Sequence, residues 1–468
     1  MTPLASLAPI FKAYDVRGIV PDELDAKRAF AIGAAFAEFA RAESGAERVL
    51  VAHDMRASGE QLSRALIAGA VSAGARVVDL GLSSTDMCYF ASGDLDAPAA
   101  MLTASHNPAA YNGVKFCLAG ARPVGRDSGL GEVLRLADAA VPGAPDDGAT
   151  TSVAGDPRVE QVDVLDRFAA HVRSFVDAAV LAPLRIVADT GNGMGGYIVP
   201  RVVDGLPFDV ELLYGELDGT FPNHPADPIQ PANLVDLRAR ILEVGADVGL
   251  AFDGDADRVF LVDELAQPLS GSTTTAIVAR AMLDKHPGST VLYNLICSHT
   301  VPEVVAERGG TAMRTRVGHS FIKAVMAETG AVFGGEHSGH YYFRDNFRAD
   351  SGIIAALVVL EALSREGVTL SELRRPYERY ADSGEINSEV DAPQDVVDTI
   401  ARRYESRGAS IDRLDGLTVE LGDWWFNLRA SNTEPLLRLN VEAPDAASLS
   451  AHLEELRAEI VASSTPSR

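Results

Sequence analysis

Between residues 48 and 104 the chain alternates short apolar runs with longer amphipathic stretches: VLVAHD, GEQLSRALIAGAVSAG, ARVVDLG, then APAAMLTA. Short apolar runs bounded by glycine, separated by segments of helical period, predict βαβ units and a mostly parallel sheet. Residues 142–157, PGAPDDGATTSVAGDP, are rich in Pro, Gly, Ala and Asp without periodicity and read as a linker. The alternation then restarts with a predicted helix over 159–180, the strand LRIVAD, the turn TGNGMGG, the strand FDVELL, a helix over 232–244 and the strand DVGLAFD. A third round holds a helix after Gly271, the strand TVLYN, a helix over 301–308, and the strands TAMRT and AVFGGE. From about Arg375 the pattern changes. SGEINSEV, a helix over 394–407, LTVEL, WWFNLRA, LLRLNVEA and a final helix over 446–460 predict an antiparallel sheet with helices on one side. The pattern therefore predicts four domains: three α/β domains over 1–155, 156–262 and 263–374, and an α+β domain over 375–468.

Composition narrows the function classes. The 468 residues carry 66 Asp and Glu against 41 Lys and Arg, a formal net charge of −25, and 47% are hydrophobic. Such an acidic balance argues against a nucleic-acid partner, although a local cleft can oppose the global sign. No window approaches the ~18–20 continuous apolar residues of a membrane span, and the N-terminus shows no secretory signal pattern. The three cysteines, Cys88, Cys117 and Cys297, are far apart and lack a metal or redox spacing. These features predict a cytoplasmic enzyme or binding protein with no membrane and no obligatory protein partner.

Polar clusters sit where predicted apolar strands end, the place where open α/β sheets bind ligands. In AAMLTASHNPAAYNGVKF, Thr103, His106 and Asn107 flank Ser105, which a turn could present to a cleft; a local Ser or Asn turn is the plainer alternative. In AFDGDADRVFLVDE, Asp253, Asp255 and Asp257 alternate with small residues and can converge on one hard cation. A calcium EF-hand fits their spacing but fails where Arg258 replaces the required glycine and the strand-like VFLVD replaces a helix. FGGEHSGHYYF offers Glu336, His337, Ser338 and His340 as donors and acceptors for a polyhydroxy ligand, and its spacing matches no common zinc pattern. In FNLRASNTEPLLRL, Arg429, Ser431, Asn432 and Thr433 suit a phosphate dianion or form a plain polar turn. FKAYDVRG with Arg17, and TRVGHSFIK with Arg316, His319 and Lys323, are smaller clusters. TGNGMGG lacks the Walker lysine and dinucleotide spacing and reads as a strand-to-helix turn.

Taken together, KAYDVRG, TASHNP with NGVK behind it, DGDADR, GEHSGH and RASNTEP, in that order and spacing, resemble the α-D-phosphohexomutases, the phosphomannomutase/phosphoglucomutase family. The resemblance covers nearly the whole chain and implies four domains in a heart-shaped arrangement, three related α/β domains and a C-terminal antiparallel α+β domain. It implies that Ser105 is a phosphoserine and that Asp253, Asp255 and Asp257, with that phosphate, hold one Mg²⁺. Arg17, Lys115 and His340 would lie near the reacting hydroxyl as candidate acid/base groups, and Arg258 near the phosphoserine. Glu336 and Ser338 would bind sugar hydroxyls, with His319 also on the substrate, and Arg429, Ser431, Asn432 and Thr433 would bind the non-reacting phosphate. The implied reaction interconverts mannose 1-phosphate and mannose 6-phosphate through a hexose 1,6-bisphosphate, with glucose phosphates as alternative substrates and a metal-dependent sugar phosphatase as the rival class. One departure is VAHDMRAS, where His53 stands in place of an arginine common among relatives; it is read as a matter of local packing.

Overall fold

The computed structural model describes residues 6–149, 153–430 and 436–464. The chain divides into two compact units, Met1–Leu269 with Ser338–Ser371, and Ser270–His337 with Glu372–Arg468.

The first unit holds two sheets. In one, the strands lie in the order Val16–Ile19, Tyr111–Leu118, Ala99–Leu102, Arg48–His53, Arg76–Leu82 and Val159–Gln161. Arg48–His53 runs parallel to both its neighbours, whereas Tyr111–Leu118 is antiparallel to Ala99–Leu102 and to Val16–Ile19. Ala99–Leu102 is buried throughout, which explains why its sequence is continuously apolar. Helices Ala26–Ser44 and Gly59–Ser72 pack on this sheet around a core that includes Phe36, Leu66, Val51 and Phe116.

The second sheet has the order Val259–Asp263, Val248–Phe252, Leu184–Asp189 and Phe208–Leu213. Its last three strands are parallel, and Val259–Asp263 returns antiparallel beside Val248–Phe252. That return confirms the strand reading of VFLVD and excludes an EF-hand, whose loop would lead into a helix. Turn 190–194 opens the helix Gly195–Val203, in keeping with a structural role for TGNGMGG.

One predicted element differs. The helix expected over 159–180 is a strand at Val159–Gln161, a shorter helix at Leu165–Arg173 and a single turn at Ala178–Val180. Val159 pairs in parallel with Val77, so this stretch closes the first sheet before the second begins. The Asp163 side chain accepts from Leu165 N at 2.9 Å, and the helix starts there.

In the second unit, Thr290–Asn294 runs parallel to Thr311–Thr315 and to Phe333–Gly335, with helices Gly271–Lys285, Thr300–Glu307 and His319–Thr329 beside them. An antiparallel sheet follows, in which Leu436–Ala443 pairs with Trp425–Ala430, Ile386–Glu389 and Ala381–Asp382. Helices Pro393–Ser406 and Ala446–Ser464 cover it over a core of Val397, Ile400, Phe426 and Leu439. The change of period near Arg375 thus marks a real change from parallel to antiparallel architecture. Among the described residues no helix is long and apolar enough to cross a membrane.

Candidate active site

Ser105 lies just beyond the buried strand Ala99–Leu102, in a left-handed conformation with φ +50°. For a residue other than glycine that conformation is uncommon, and it turns the side chain out of the strand direction. Ser105 N donates to Thr103 Oγ1 at 2.9 Å, and Ser105 Oγ donates to Asp253 Oδ2 at 2.8 Å. The turn predicted from TASHNP is therefore present, but its hydroxyl faces a carboxylate 148 positions away and does not close a local turn.

Asp253, Asp255 and Asp257 follow the end of Val248–Phe252 and are all buried. Each offers a carboxylate oxygen, and these three atoms lie within 4.8 Å of one another. Lys115 Nζ donates to Asp255 Oδ2 at 2.8 Å and to Asp257 Oδ2 at 2.7 Å. Asp255 Oδ1 and Asp257 Oδ1 remain buried with no hydrogen-bond partner. Burial pushes the Asp253 carboxyl well up, Arg258 opposes that, and the neighbouring Asp255 and Asp257 charges push further in the same direction. Burial also disfavours the charge on Asp255, but Lys115 outweighs it and holds this carboxyl well below the usual range. Orphaned, buried and mutually repelling oxygens on small-residue turns form a donor set for a hard divalent cation, which would satisfy them all together. The residues present fit Mg²⁺.

The remaining predicted residues of this unit converge on the same loops. Arg258 Nε donates to Asp253 Oδ2 at 3.0 Å, and its NH2 donates to His106 Nδ1 at 2.6 Å. That bond makes Nδ1 an acceptor. Burial, with Arg258 and Arg17 nearby, pulls the His106 imidazole down to about 2, so it stays neutral. Arg17 donates to Ala104 O at 3.0 Å, to Asn107 Oδ1 and to Asp15 Oδ2 at 2.7 Å. Its strand reaches the Ser105 loop because Gly113, in NGVK, pairs with Arg17; a Cβ on Gly113 would lie 2.0 Å from Val16 O. Ser338 Oγ lies 2.9 Å from His340 Nδ1, and His340 Nε2 lies 3.9 Å from Asp257 Oδ1. Burial favours the neutral amine of Lys115, yet Asp255 and Asp257 more than offset it and raise its pKa well above the usual value. Lys115 is thus a fixed cation here.

Glu336, His319 and Arg429 belong to the second unit. Glu336 Oε1 accepts from Gly318 N at 3.0 Å and from Asn294 Nδ2 at 3.3 Å, which anchors its carboxylate at the start of the helix His319–Thr329. The His319 side chain lies outside the described residues. Arg429 stands at the end of Trp425–Ala430, 3.4 Å from Asp415 and 3.7 Å from Glu385. Ser431, Asn432 and Thr433 lie outside the described residues.

Sequence reasoning missed several participants. Thr85, the first residue of the helix Thr85–Asp94, donates through Oγ1 to Asp255 Oδ2 at 2.6 Å and through N to Asp255 O at 3.1 Å. Asp227 lies 3.9 Å from Arg258. Asp350 groups with Asp257 and His340 within 4.8 Å. Arg56, in the segment read as packing, donates to four main-chain carbonyls of the Ser105 loop.

Comparison with known proteins agrees with this geometry. Four family models match in order: phosphoglucomutase/phosphomannomutase α/β/α domain I at residues 8–131, domain II at 166–266, domain III at 270–380, and the C-terminal domain at 385–462. The chain is 37% identical over 440 residues to a phosphomannomutase of Escherichia coli K12, covering 92% of this chain and 94% of the relative. It is 39% identical over 453 residues to a protein named phosphohexose mutases from Xanthomonas campestris, covering 96% and 98%. A crystal structure of a phosphoglucomutase/phosphomannomutase family protein from Burkholderia thailandensis superposes with a TM-score of 0.86 at 31% identity, over 99% of both chains. With the serine loop and the carboxylate ring joined in one unit and all four domain models matched in order, the chain belongs to the phosphoglucomutase/phosphomannomutase family.

Proposed function

We propose that this chain is a phosphomannomutase, interconverting mannose 1-phosphate and mannose 6-phosphate through a phosphoserine at Ser105 and a hexose 1,6-bisphosphate. The observation that carries the reading is the Ser105 hydroxyl in a strained turn, 2.8 Å from Asp253 in a ring of buried carboxylates with unpartnered oxygens. Phosphoryl transfer needs alignment and charge neutralisation more than covalent chemistry by the protein. Asp253, Asp255 and Asp257 would hold one Mg²⁺, which supplies electrostatic stabilisation to a phosphoryl group on Ser105. Arg258, anchored on Asp253, and Arg17, anchored on Asp15, fix positive charge around that group.

In the transfer, the bond from phosphorus to Ser105 Oγ breaks and a bond to the free sugar hydroxyl forms; the hydroxyl proton passes to a protein base. Of the three candidates, Lys115 is a fixed ammonium between two carboxylates and Arg17 is occupied as a donor. His340, with Nδ1 on Ser338, is the group we assign as acceptor. After transfer the bisphosphate reverses end for end and returns its other phosphate to Ser105. Glu336 and Ser338 would bind vicinal hydroxyls in either orientation, His319 would also bind substrate, and Arg429, Ser431, Asn432 and Thr433 would bind the distal phosphate. The reading includes four domains over 1–155, 156–262, 263–374 and 375–468, a cytoplasmic location in keeping with three free, buried cysteines, and no nucleic-acid, membrane or obligatory protein partner.

The test is ³¹P NMR of mannose 1-phosphate incubated with the protein, Mg²⁺ and a trace of hexose 1,6-bisphosphate. Conversion to mannose 6-phosphate is expected, faster than glucose 1-phosphate to its 6-isomer in a parallel tube. Stoichiometric release of inorganic phosphate would instead make the protein a phosphatase.

A further inference from the structure

We infer that Arg56 is a positioning residue for phosphoryl transfer, its buried guanidinium clamping the backbone of the turn that presents Ser105. This rests on the mutase reading of the Ser105 site.

Arg56 lies between the strand Arg48–His53 and the helix Gly59–Ser72, and it is only 3% exposed. Its NH2 donates to Ser105 O at 2.8 Å and to Asn107 O at 2.7 Å. NH1 donates to Pro108 O at 2.9 Å and to Tyr111 O at 2.8 Å. One side chain therefore satisfies four carbonyls of the segment from Ser105 to the start of the strand Tyr111–Leu118. The guanidinium is itself held from other sides. Asp54 Oδ2 lies 3.3 Å from Nε, the Asp54 Oδ1 atom accepts from Arg56 N at 3.0 Å, and the Phe221 ring lies 5.2 Å from Cζ.

Pro108 O also accepts from Tyr111 N at 3.0 Å, but Ser105 O and Asn107 O lie in an irregular turn with Ser105 at positive φ and find a donor in Arg56. A planar fork of donors with fixed angles meets several carbonyls in one geometry, which a single mobile ammonium cannot do. Arg17 adds a fifth carbonyl, Ala104 O. The charge of Arg56 is directed at main-chain oxygens and Asp54, and the side chain is buried. Its contribution is therefore to the placement of Ser105 Oγ against Asp253, which governs transfer and leaves substrate binding to other residues.

The experiment compares wild type with Arg56→Lys and Asp54→Asn, each shown folded at the assay temperature by circular dichroism and thermal melting. Steady-state conversion of mannose 1-phosphate is measured together with amide hydrogen exchange over residues 104–112. For Arg56→Lys, kcat is expected to fall about 100-fold with KM within about threefold of wild type. Exchange over 104–112 is expected to accelerate while the rest of the first unit stays protected. Should Arg56→Lys fail to fold, the milder Asp54→Asn is expected to show the same split and decides in its place. A kcat within threefold of wild type, or a fall in kcat matched by a rise in KM and by exchange across the whole unit, overturns the assignment. If wild type itself lacks mutase activity, the functional reading fails; local exchange in the variant still decides whether Arg56 clamps the turn.

Discussion

Gly254→Ala places a methyl group where two loops already touch. A Cβ built on Gly254 lies 2.4 Å from the carbonyl oxygen of Ser105, below the 3.0 Å that real Cβ contacts respect. Because the obstacle is backbone, no rotamer change relieves it; the carboxylate loop and the serine loop must part by at least about 0.6 Å. That movement acts on the Ser105–Asp253 contact directly, since Gly254 follows Asp253. A displacement approaching 1 Å at a reacting group costs about 10²-fold in rate, or about 2.7 kcal/mol of barrier. The accompanying stability loss for overpacking is about 1–3 kcal/mol, small enough to leave the protein folded at room temperature.

Gly131→Ala is the matched control. Gly131 sits in the helix Leu130–Ala140 with nothing within 4 Å of the position its methyl would take, so alanine there is expected to be neutral or stabilising by up to about 1 kcal/mol. Mannose 1-phosphate turnover and thermal midpoints measured for both variants test the reasoning. A Gly254→Ala enzyme with kcat within threefold of wild type would refute the claim that the serine-to-carboxylate spacing sets the rate.

Three further outcomes follow from the same geometry. Asp255→Asn keeps an acceptor for Thr85 but removes one charge from the ring, so kcat should drop about 10²–10³-fold with secondary structure by circular dichroism unchanged. Chelator treatment should abolish turnover, Mg²⁺ should restore it, and Mg²⁺ should raise the thermal midpoint of wild type by more than that of Asp255→Asn. The third concerns His224, which bonds Asp189 at 3.0 Å and Pro225 O at 2.8 Å through its two ring nitrogens. Burial lowers its pKa, but the Asp189 bond and charge outweigh burial and the net shift is upward from 6.5. The stabilisation from protonated His224 is fully present below pH 6.5 and is lost as pH rises through the higher folded value. Denaturant melts of wild type and His224→Gln should therefore differ most near pH 6 and converge at alkaline pH; a constant gap would refute the protonated pair.

Residues proposed to touch a ligand carried a readable signal, because their chemistry is unusual where it stands: three carboxylates on alternating positions, a serine before His-Asn-Pro, a Glu-His-Ser run after two glycines. Hydrophobic period likewise located most of the parallel strands, since a buried parallel strand is continuously apolar and an amphipathic helix is not, but it did not announce Val16–Ile19, Tyr111–Leu118 or Tyr341–Phe343. It failed at Val159–Gln161, a three-residue edge strand with only Val159 partly buried, where no periodicity can develop. Arg56, Thr85 and Gly254 were hidden for a different reason. Each acts on atoms far along the chain: Arg56 on carbonyls 49 to 55 positions away, Thr85 on a carboxylate 170 away, Gly254 by leaving room for the backbone of Ser105. Nothing in the local pattern of an arginine after VAHDM distinguishes a surface charge from a buried clamp. The distinction lies in burial and in the main-chain carbonyls that an irregular turn gathers around one guanidinium, both properties of the assembled sheet. The same holds for the acidic excess: a net charge of −25 says little about Ser105, because its surroundings are decided by Lys115, Arg17 and Arg258, each held in place by an aspartate. Those aspartates are part of the excess, so the acidity that argues against an anionic ligand is in part what fixes the cations that would bind one.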